Sequence, residues 1–451
     1  MKPAVVDIND LCRIAVEAAE RDEAIEAYAE ESKRTEVAAR KGEVESLEFS
    51  DSRGVGIRVI NDDRLGYAWV ADPTPDEVAK AVVSARENAT FGSPDEFNRL
   101  PIPGKAGIEP LPRLFRETQA FLPTDRKVRL ALDLEHVAIT SDPRVTKVEE
   151  VQYGDAVSRI ALASTEGFAE EYQRTDCWCV VATLAEDGDE TQAGFSFRLA
   201  RAADELQWAD CAGEAANRAA RLLGSTKPRS ERMPVVLDPD AAASFLGVLS
   251  GALTAEAVQK GRSLFANLQG EQVGSEAVNL IDDGRLLAGP AAAPFDDEGV
   301  PTERTPLIER GVLRGFLHDT YTARRGGERS TGNASRAGYR SRPSVAPTNF
   351  YIEAGEMLPE EILRRAEGGI LIQDVSGVHS GANPISGEFS VGATGLRIKG
   401  GVLGEPLREM TIASTIPDML KSVTAVGNDL RFFSGVGSPT ILISEMTVAG
   451  T

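Results

Sequence analysis

Hydrophobic and polar residues change their spacing several times within the first 90 positions. Apolar residues first recur every three or four positions, as on one face of a helix, and then alternate with polar residues, as in half-buried strands. Thr74 followed by Pro75 is typical of a helix start, because threonine caps free backbone N–H groups and proline fits the first turn. The predicted elements are a helix over 8–20, strands over 24–40 with a turn near Ser32, a hairpin of 54–60 and 65–70 around residues 61–63, and a helix over 75–88.

The same order of elements recurs in the next hundred residues. A helical pattern is followed by alternating segments and then by a second helical pattern, although the two stretches share no clear sequence identity. An internal duplication is therefore a hypothesis that rests on element order alone. The predicted elements are a helix over 124–139, strands over 144–151, 157–163, 175–185 and 192–199, and a helix over 204–223.

A polar segment containing glycine and proline, residues 224–233, separates this region from the rest of the chain. A short apolar strand follows at 234–237. Asp238 then precedes a proline, a pair that caps and begins a helix. We expect this helix to continue to Lys260, with Gly261 as its stop.

The second half of the chain has a mostly β pattern. Beyond residue 262, glycine and proline interrupt many short strand patterns, and one more helix is predicted near 416–426. A length of 451 residues favours more than one core. We therefore predict an α+β protein of two domains, an N-terminal domain of helices and antiparallel sheet at 1–225 and a mostly β domain at 232–451.

The chain is strongly acidic, with 49 basic and 70 acidic residues and a formal net charge of −21. Such a surface repels phosphate backbones, so broad contact with nucleic acid is not expected. No apolar stretch approaches membrane length, and the N-terminal residues lack the apolar segment of a secretory signal. Four cysteines in a chain of this length do not form a disulfide scaffold. We expect a cytoplasmic protein with neither a nucleic-acid nor a membrane partner.

Histidine is scarce, which limits metal chemistry. The chain contains His136, His318 and His379, and the closest two are 61 residues apart. A zinc-peptidase helix needs two histidines on one face and a glutamate as general base, and no such spacing exists here. We therefore predict no metal ligands and no catalytic zinc site within the chain.

Thiol and hydroxyl nucleophiles leave a hydrolase of another class open. Cys177 and Cys179 share one face of a predicted strand, which favours two small core residues over a soft-metal site. Ser380 directly follows His379, and Ser386 lies nearby, but adjacency in sequence does not define a catalytic triad. A polar loop is the favoured interpretation of these serines.

Residues 304–342 contain nine arginines and three acidic residues, a net charge of +6 within an acidic chain. The central part, 324–336, is rich in glycine and predicts a mobile loop. Its arginines could bind a peptide carboxylate or an acidic partner surface. The alternative is a solvated loop that offsets the surrounding acidic charge, and the sequence leaves both interpretations open.

Small residues recur every four positions along the helix that follows Asp238. This stripe comprises Ala243, Gly247, Gly251 and Ala255. Two glycines inside a helix cost about 2 kcal/mol relative to alanine. We therefore expect another backbone to approach this face closely, either within the fold or across a dimer.

Several segments, taken in order, resemble the TldD/PmbA family. The longest and most specific match is GVHSGANPISGEFSVGATG at 377–395. The resemblance extends over nearly the whole chain. The other matching segments are 28–37, 53–60, 64–68, 330–334, 425–430 and 438–440.

The resemblance implies a particular branch of that family. TldD-like chains carry a zinc motif, HExxxH, on the helix after the domain boundary, and PmbA-like (TldE) chains lack it. In this sequence the motif would fall at Leu246, Gly247 and Gly251, none of which can bind zinc or act as a base. The departure points to the PmbA branch. The family's other label, modulator of DNA gyrase, gains no support from the acidic surface.

The implied function is that of a non-catalytic subunit. A TldD-like partner with HExxxH would supply zinc and chemistry, and this chain would complete a channel for unfolded or leader peptides bound as extended strands. A homodimeric peptide-binding protein and an autonomous serine or cysteine hydrolase are the alternatives. We expect peptide or partner contact at Arg324, Arg325, Asn333, Arg336, His379, Ser380, Asn383 and Ser386.

Overall fold

A computed structural model describes residues 6–105 and 107–450. Residues 1–5, on which the expectation of no signal peptide partly depends, lie outside the described residues. Within the described part, none of the helices has both the length and the apolar character needed to cross a bilayer. Helices and several sheets alternate along the chain, which confirms the predicted α+β class.

The N-terminal half is one six-stranded antiparallel sheet with helices on one face. The strand order is β3-β2-β1-β4-β5-β6, with β1 and β4 paired at the centre. The elements are α1 Ile8–Glu17, β1 Ala24–Arg40, β2 Glu43–Asn61, β3 Arg64–Ala71, α2 Pro75–Thr90, α3 Glu117–Ala120, α4 Thr124–Thr140, β4 Val145–Ser164, β5 Ala169–Asp187, β6 Glu190–Ala200 and α5 Trp208–Ala220.

Two equivalent glycines support the repeat that the element order suggests. Gly66 on β3 lies against α2, and Gly194 on β6 lies against α5. A Cβ atom at either glycine would lie under 3.0 Å from the helix backbone, at Ala85 and Ala89 in one half and at Ala215 and Ala219 in the other. Both alanine pairs are spaced by four residues, so the two halves pack a helix on an edge strand in the same way.

The predicted hairpin and helix start are confirmed. Asp62 and Asp63 both have positive φ, as a two-residue hairpin turn requires, and Asn61 pairs with Arg64 across it. Thr74 caps α2 and shares a capping box with Glu77.

The predicted turn near Ser32 is wrong. β1 continues through this residue, which pairs with neighbours on both sides, and the Ser32 and Ser158 hydroxyls lie 3.1 Å apart. The two strands predicted at 144–151 and 157–163 are likewise one strand, β4. Small and polar residues at these points interrupt the hydrophobic pattern without interrupting the backbone ladder.

The C-terminal half contains a closed barrel and a second six-stranded sheet. The barrel strands run β16-β15-β14-β7-β20, and a β16–β20 pairing closes the ring. The second sheet has the order β10-β9-β8-β13-β19-β18. The elements are β7 Glu231–Leu237, α6 Pro239–Ser250, a 3₁₀ turn Gly251–Leu253, α7 Ala255–Gln259, β8 Leu280–Asp283, β9 Arg304–Glu309, β10 Val312–Leu313, α8 Thr320–Gly326, β11 Ala334–Ser335, β12 Ser344–Val345, β13 Phe350–Ile352, α9 Pro359–Arg365, β14 Ile370–Ser376, α10 Val378–Gly381, β15 Glu388–Lys399, β16 Val402–Thr415, α11 Ile416–Lys421, β17 Val423–Val426, β18 Arg431–Phe433, β19 Val436–Ser438 and β20 Ile441–Ala449.

Two helix predictions in this half need correction. The helix after Asp238 does not reach Lys260, because α6 ends at Ser250 and Thr254 caps a new helix by accepting from the Ala257 backbone N–H. The sequence also predicted too few helices beyond residue 262. Besides the one predicted near 416–426, α8, α9 and α10 are short helices within segments that were expected to be strand or loop.

In the part of the chain that the structure describes, no sheet contains strands from both halves. The first sheet uses strands from residues 24–200 and the other sheets use strands from residues 231–449. The proposed domain limits of 1–225 and 232–451 stay a prediction.

Candidate functional site

The exposed side of α6 and the loop between β14 and β15 enclose a crevice. Ser244, Gly247 and Val248 form the helix wall, and His379 and Pro384 belong to the loop wall of a cavity of about 540 Å³. The loop is part of the segment with the most specific sequence match. The structure therefore places Gly247 of α6 beside the 377–395 segment, which the sequence alone could not show.

The three positions of the absent zinc motif do not share one environment. Leu246 is fully buried in the C-terminal core, whereas Gly247 and Gly251 are exposed. A Cβ atom at either glycine would meet nothing within 4 Å, so no backbone of the described chain approaches them. The predicted close approach within the fold is wrong, and the break at Ser250 ends the stripe of small residues.

Zinc does not fit the residues present at this crevice. Leucine and glycine offer no ligand atoms, and His379 is the crevice histidine. Among residues 6–105 and 107–450, no three His, Cys, Asp or Glu side chains are grouped so as to hold a metal ion.

The 377–387 loop is held by its own backbone contacts. The Asn383 Oδ1 atom accepts hydrogen bonds from the backbone N–H groups of Ile385 at 2.9 Å and Ser386 at 3.1 Å. The Ser380 hydroxyl donates to the Gly377 carbonyl at 3.1 Å. These contacts leave the predicted contact residues of this loop exposed on one surface: His379, Ser380, Asn383 and Ser386.

The geometry gives little support for catalysis by a serine or cysteine nucleophile. The Ser380 hydroxyl is directed to a backbone carbonyl and makes no hydrogen bond to a histidine in the described chain. Burial raises the pKa values of the Cys12 and Cys177 thiols far above the ordinary value of a cysteine thiol. All four cysteines are buried, and Cys177 and Cys179 lie on one buried face of β5, as predicted, where they pack with residues of α4 and α5.

A second cavity of about 270 Å³ adjoins the first, and Ser244 lines both. One wall is C-terminal, with Asp240 and Asp374. A β-bulge between Ile372 and Asp374 turns Asp374 toward this cavity. The opposite wall belongs to the N-terminal sheet and includes Phe195. This second cavity lies between the halves of the chain, and Ser244 joins it to the first cavity, whose lining residues belong to the C-terminal half.

The N-terminal sheet reaches this crevice with the face opposite its helices. Along β5, side chains toward the helices are fully buried, whereas alternate side chains keep partial exposure. Phe195 and Phe433 are 40% and 42% exposed and their ring centroids lie 6.1 Å apart. We call this surface the open face; its apolar members are Trp178, Val180, Ala182, Leu184, Phe195, Phe197, Leu199 and Phe433.

Buried ion pairs fix the two walls relative to each other. Arg218 of α5 contacts Asp238 at 2.7 Å and Asp240 at 2.8 Å, at the start of α6. Burial alone would raise the pKa of Glu214, but the charges of Arg218, Arg431 and Arg198 lower it to about 2. Sequence reasoning missed this group, because its members come from four separate elements, β6, α5, the start of α6 and β18, and have no local motif.

The arginine-rich segment is more ordered and more buried than the sequence predicted. Arg324 and Arg325 are exposed on the last turn of α8, not in a mobile loop. Asn333 is buried and donates to Asp282 at 2.7 Å. The Arg336 side chain is fully buried and pairs with Glu26. Asn333 and Arg336 are therefore occupied by internal partners and form no part of the crevice surface.

The family models match three consecutive parts of the chain. Residues 25–89, 118–223 and 230–450 match the models described as PmbA/TldA metallopeptidase domain 1, central domain and C-terminal domain. The chain belongs to the PmbA/TldD metallopeptidase family. The resemblance found in the sequence is thus confirmed.

Relatives and solved structures of the PmbA/TldD family match along most of their length. Metalloprotease PmbA of Escherichia coli O157:H7 is 28% identical, covering 92% of this chain and 89% of its own. An uncharacterized protein of Methanocaldococcus jannaschii is 30% identical, and the match covers 77% of this chain and 78% of that protein. The crystal structure of a putative modulator of DNA gyrase from Thermotoga maritima has a TM-score of 0.90, 28% identity and coverage of 98% and 100%. TldE from Thermococcus kodakarensis, at 24% identity and coverage of 98% and 100%, shares the fold with a TM-score of 0.89.

Proposed function

We propose that this chain is the non-catalytic, PmbA/TldE-like subunit of a cytoplasmic zinc metallopeptidase. The observation that carries the proposal is the crevice wall at α6. Where the family's metal motif would fall, the chain has a buried leucine and two exposed glycines with open space beside them. The catalytic zinc, its ligands and the general base would come from a TldD-like partner that carries HExxxH.

The role of this chain is to bind and orient peptide. An unfolded or leader peptide would lie extended along the crevice, where backbone hydrogen bonds give affinity with little demand on sequence. The exposed loop residues His379, Ser380, Asn383 and Ser386 would contact it. The open space at Gly247 leaves room for a peptide or for the partner's metal-bearing helix.

The alternatives draw less support from the structure. A serine or cysteine hydrolase needs an activated nucleophile, but the thiols are buried and Ser380 is bonded to a backbone carbonyl. A homodimeric peptide binder would use the same crevice without chemistry. The subunit composition of the active assembly distinguishes this homodimer from the proposed heterodimer.

Reconstitution tests the proposal. The chain and a purified HExxxH subunit would be assayed separately and mixed, with denatured, fluorescently labelled casein as the substrate. We expect hydrolysis by the mixture and none by this chain, and a Glu→Gln change in the partner's motif should abolish it. Hydrolysis by this chain alone, free of partner, would contradict the proposal.

A further inference from the structure

The second cavity, between the halves of the chain, combines aromatic walls with carboxylates. Phe195 and Phe433 line it, are 40% and 42% exposed, and have ring centroids 6.1 Å apart. Glu149, Asp240 and Asp374 line it as well. Its volume of about 270 Å³ holds one long side chain and excludes a folded partner. Because aromatic faces and carboxylates both attract cations, this lining favours a positively charged ligand.

Two β-bulges, one in each half of the chain, direct backbone toward this cavity. On β4, Glu149 is an additional residue opposite a shift in the pairing with β5. On β14, a shift just before Asp374 makes Gln373 the additional residue. Bulges of this kind redirect side chains and are common beside functional sites. Both halves therefore contribute an acidic side chain to the same small space.

Basic groups also lie beside the cavity, but most of them are already paired with carboxylates. Arg218 lines the cavity and contacts Glu214 at 3.2 Å, Asp238 at 2.7 Å and Asp240 at 2.8 Å. The other basic groups are Arg198 and Arg431, which pair with Glu214, Lys147, which pairs with Glu186, and Arg221, which donates to the Gln373 side chain.

The carboxylates exceed the basic groups around this cavity. In the described part of the chain, Glu149, Glu150 and Asp374 have no ion-pair partner, and of the basic groups above only Arg221 lacks a carboxylate partner. The formal excess is two negative charges. Burial raises the pKa of the Asp374 carboxyl, because desolvation outweighs the attraction of Arg218. A bound cation would compensate this charge.

We propose that the second cavity is a subsite for a basic side chain of the bound peptide, with arginine favoured over lysine. Ser244 lines both cavities, so a peptide extended along the first can place one side chain in the second. A planar guanidinium can stack on Phe195 or Phe433 while it donates two hydrogen bonds to Asp374. This inference rests on the peptide-binding part of the proposed function.

The test measures the Kd of two fluorescently labelled peptides for this chain alone. Both are heptapeptides of alanine and valine, with a central arginine in one and citrulline, an uncharged analogue of the same shape, in the other. We expect the arginine peptide to bind about tenfold more tightly. Asp374→Asn should reduce this preference to less than about threefold. The matched control is Glu166→Gln, which removes an equal charge at the exposed turn after β4 and should leave the preference unchanged.

Charge reversal gives a second measurement that a merely structural role of Asp374 would not produce. Asp374→Lys should bind the same heptapeptide with central glutamate more tightly than the one with glutamine, whereas the native chain should not. A damaged fold would weaken the binding of all four peptides without reversing the preference. Equal Kd values of the arginine and citrulline peptides for the native chain, or no binding of either, would refute the subsite.

Hydrolysis of casein by the mixed subunits is measured separately, so the two proposals can fail independently. If the mixture hydrolyses casein but this chain shows no preference for arginine, the subsite is refuted and the proposed function stands. If the preference is present but no HExxxH subunit gives hydrolysis with this chain, the role as a peptidase subunit is refuted and the subsite for a basic side chain stands.

Discussion

Arg336 of the C-terminal half donates to the Glu26 carboxylate of β1, and both side chains are buried from solvent, with exposures of 0% and 1%. Glu26 also accepts from Arg58 at 2.6 Å, and Arg58 contacts Glu298 at 2.7 Å. The group joins the N-terminal sheet to the loops that follow β8. Since no solvent reaches these charges, each depends on the others for compensation.

Arg336→Ala should destabilise the protein strongly. Removing the guanidinium leaves the Glu26 carboxylate buried with one partner fewer, a loss on the order of 3–5 kcal/mol. Thermal unfolding measures it, with Arg324→Ala as the control, because Arg324 is an exposed arginine of the same segment. Equal melting temperatures for the two variants would contradict the assigned role of Arg336.

The double change Arg324→Ala with Arg325→Ala should weaken peptidase activity of the assembled complex without lowering the melting temperature. Both side chains are exposed at the end of α8, where they are available to a peptide carboxylate or an acidic partner surface. Activity is compared at equal concentrations of assembled complex. Unchanged activity would leave these arginines as solvated surface residues.

The ion group around Glu214 predicts an acid transition. The pKa of Glu214 is about 2 in the folded chain, below its ordinary value of 4.5, so its contribution to stability is complete above pH 4.5 and is lost as pH falls toward 2. The contribution is on the order of 3 kcal/mol. Glu214→Gln should lower the free energy of unfolding at pH 7 and flatten its decline below pH 4.5. Parallel pH profiles for variant and native protein would contradict this.

Two glycines should respond in opposite directions to an added methyl group. Gly194→Ala inserts a Cβ into the backbone of α5 and should cost about 1–3 kcal/mol through overpacking. Gly247→Ala adds a Cβ to open space on α6 and should stabilise by up to about 1 kcal/mol, because alanine favours helix more than glycine. Chemical denaturation of both variants checks the pair. Stabilisation by Gly194→Ala would exclude the close contact between β6 and α5.

Local patterns predicted local structure well. The turn at Asp62 and Asp63 and the Thr74 cap depend on residues within a few positions of one another, and both form as expected. The end of α6 depends on distant partners: after Gly251, the Leu253 carbonyl accepts from the Leu317 backbone N–H at 2.9 Å. Helical periodicity carries no information about such a partner, so the predicted helix was too long.

The candidate site likewise has features that the sequence predicted and features that it could not predict. The resemblance gave the motif positions at 246, 247 and 251 and the 377–395 segment, and folding brings one of these positions, Gly247, to the same crevice as that segment. The open face was missed because the alternation of side chains along β5 indicates only that one face of the strand is buried. It carries no information about what lies against the other face. Arg336 was misplaced for a related reason: its partner Glu26 is 310 positions away.

The central claim is that this chain works with a partner that supplies the metal site. An affinity pull-down of the tagged chain from its native host, read by quantitative mass spectrometry, tests it most directly. The account predicts a stoichiometric second chain that carries HExxxH. Recovery of the chain alone or with copies of itself, under gentle conditions, would contradict the account and favour a homodimeric peptide-binding protein.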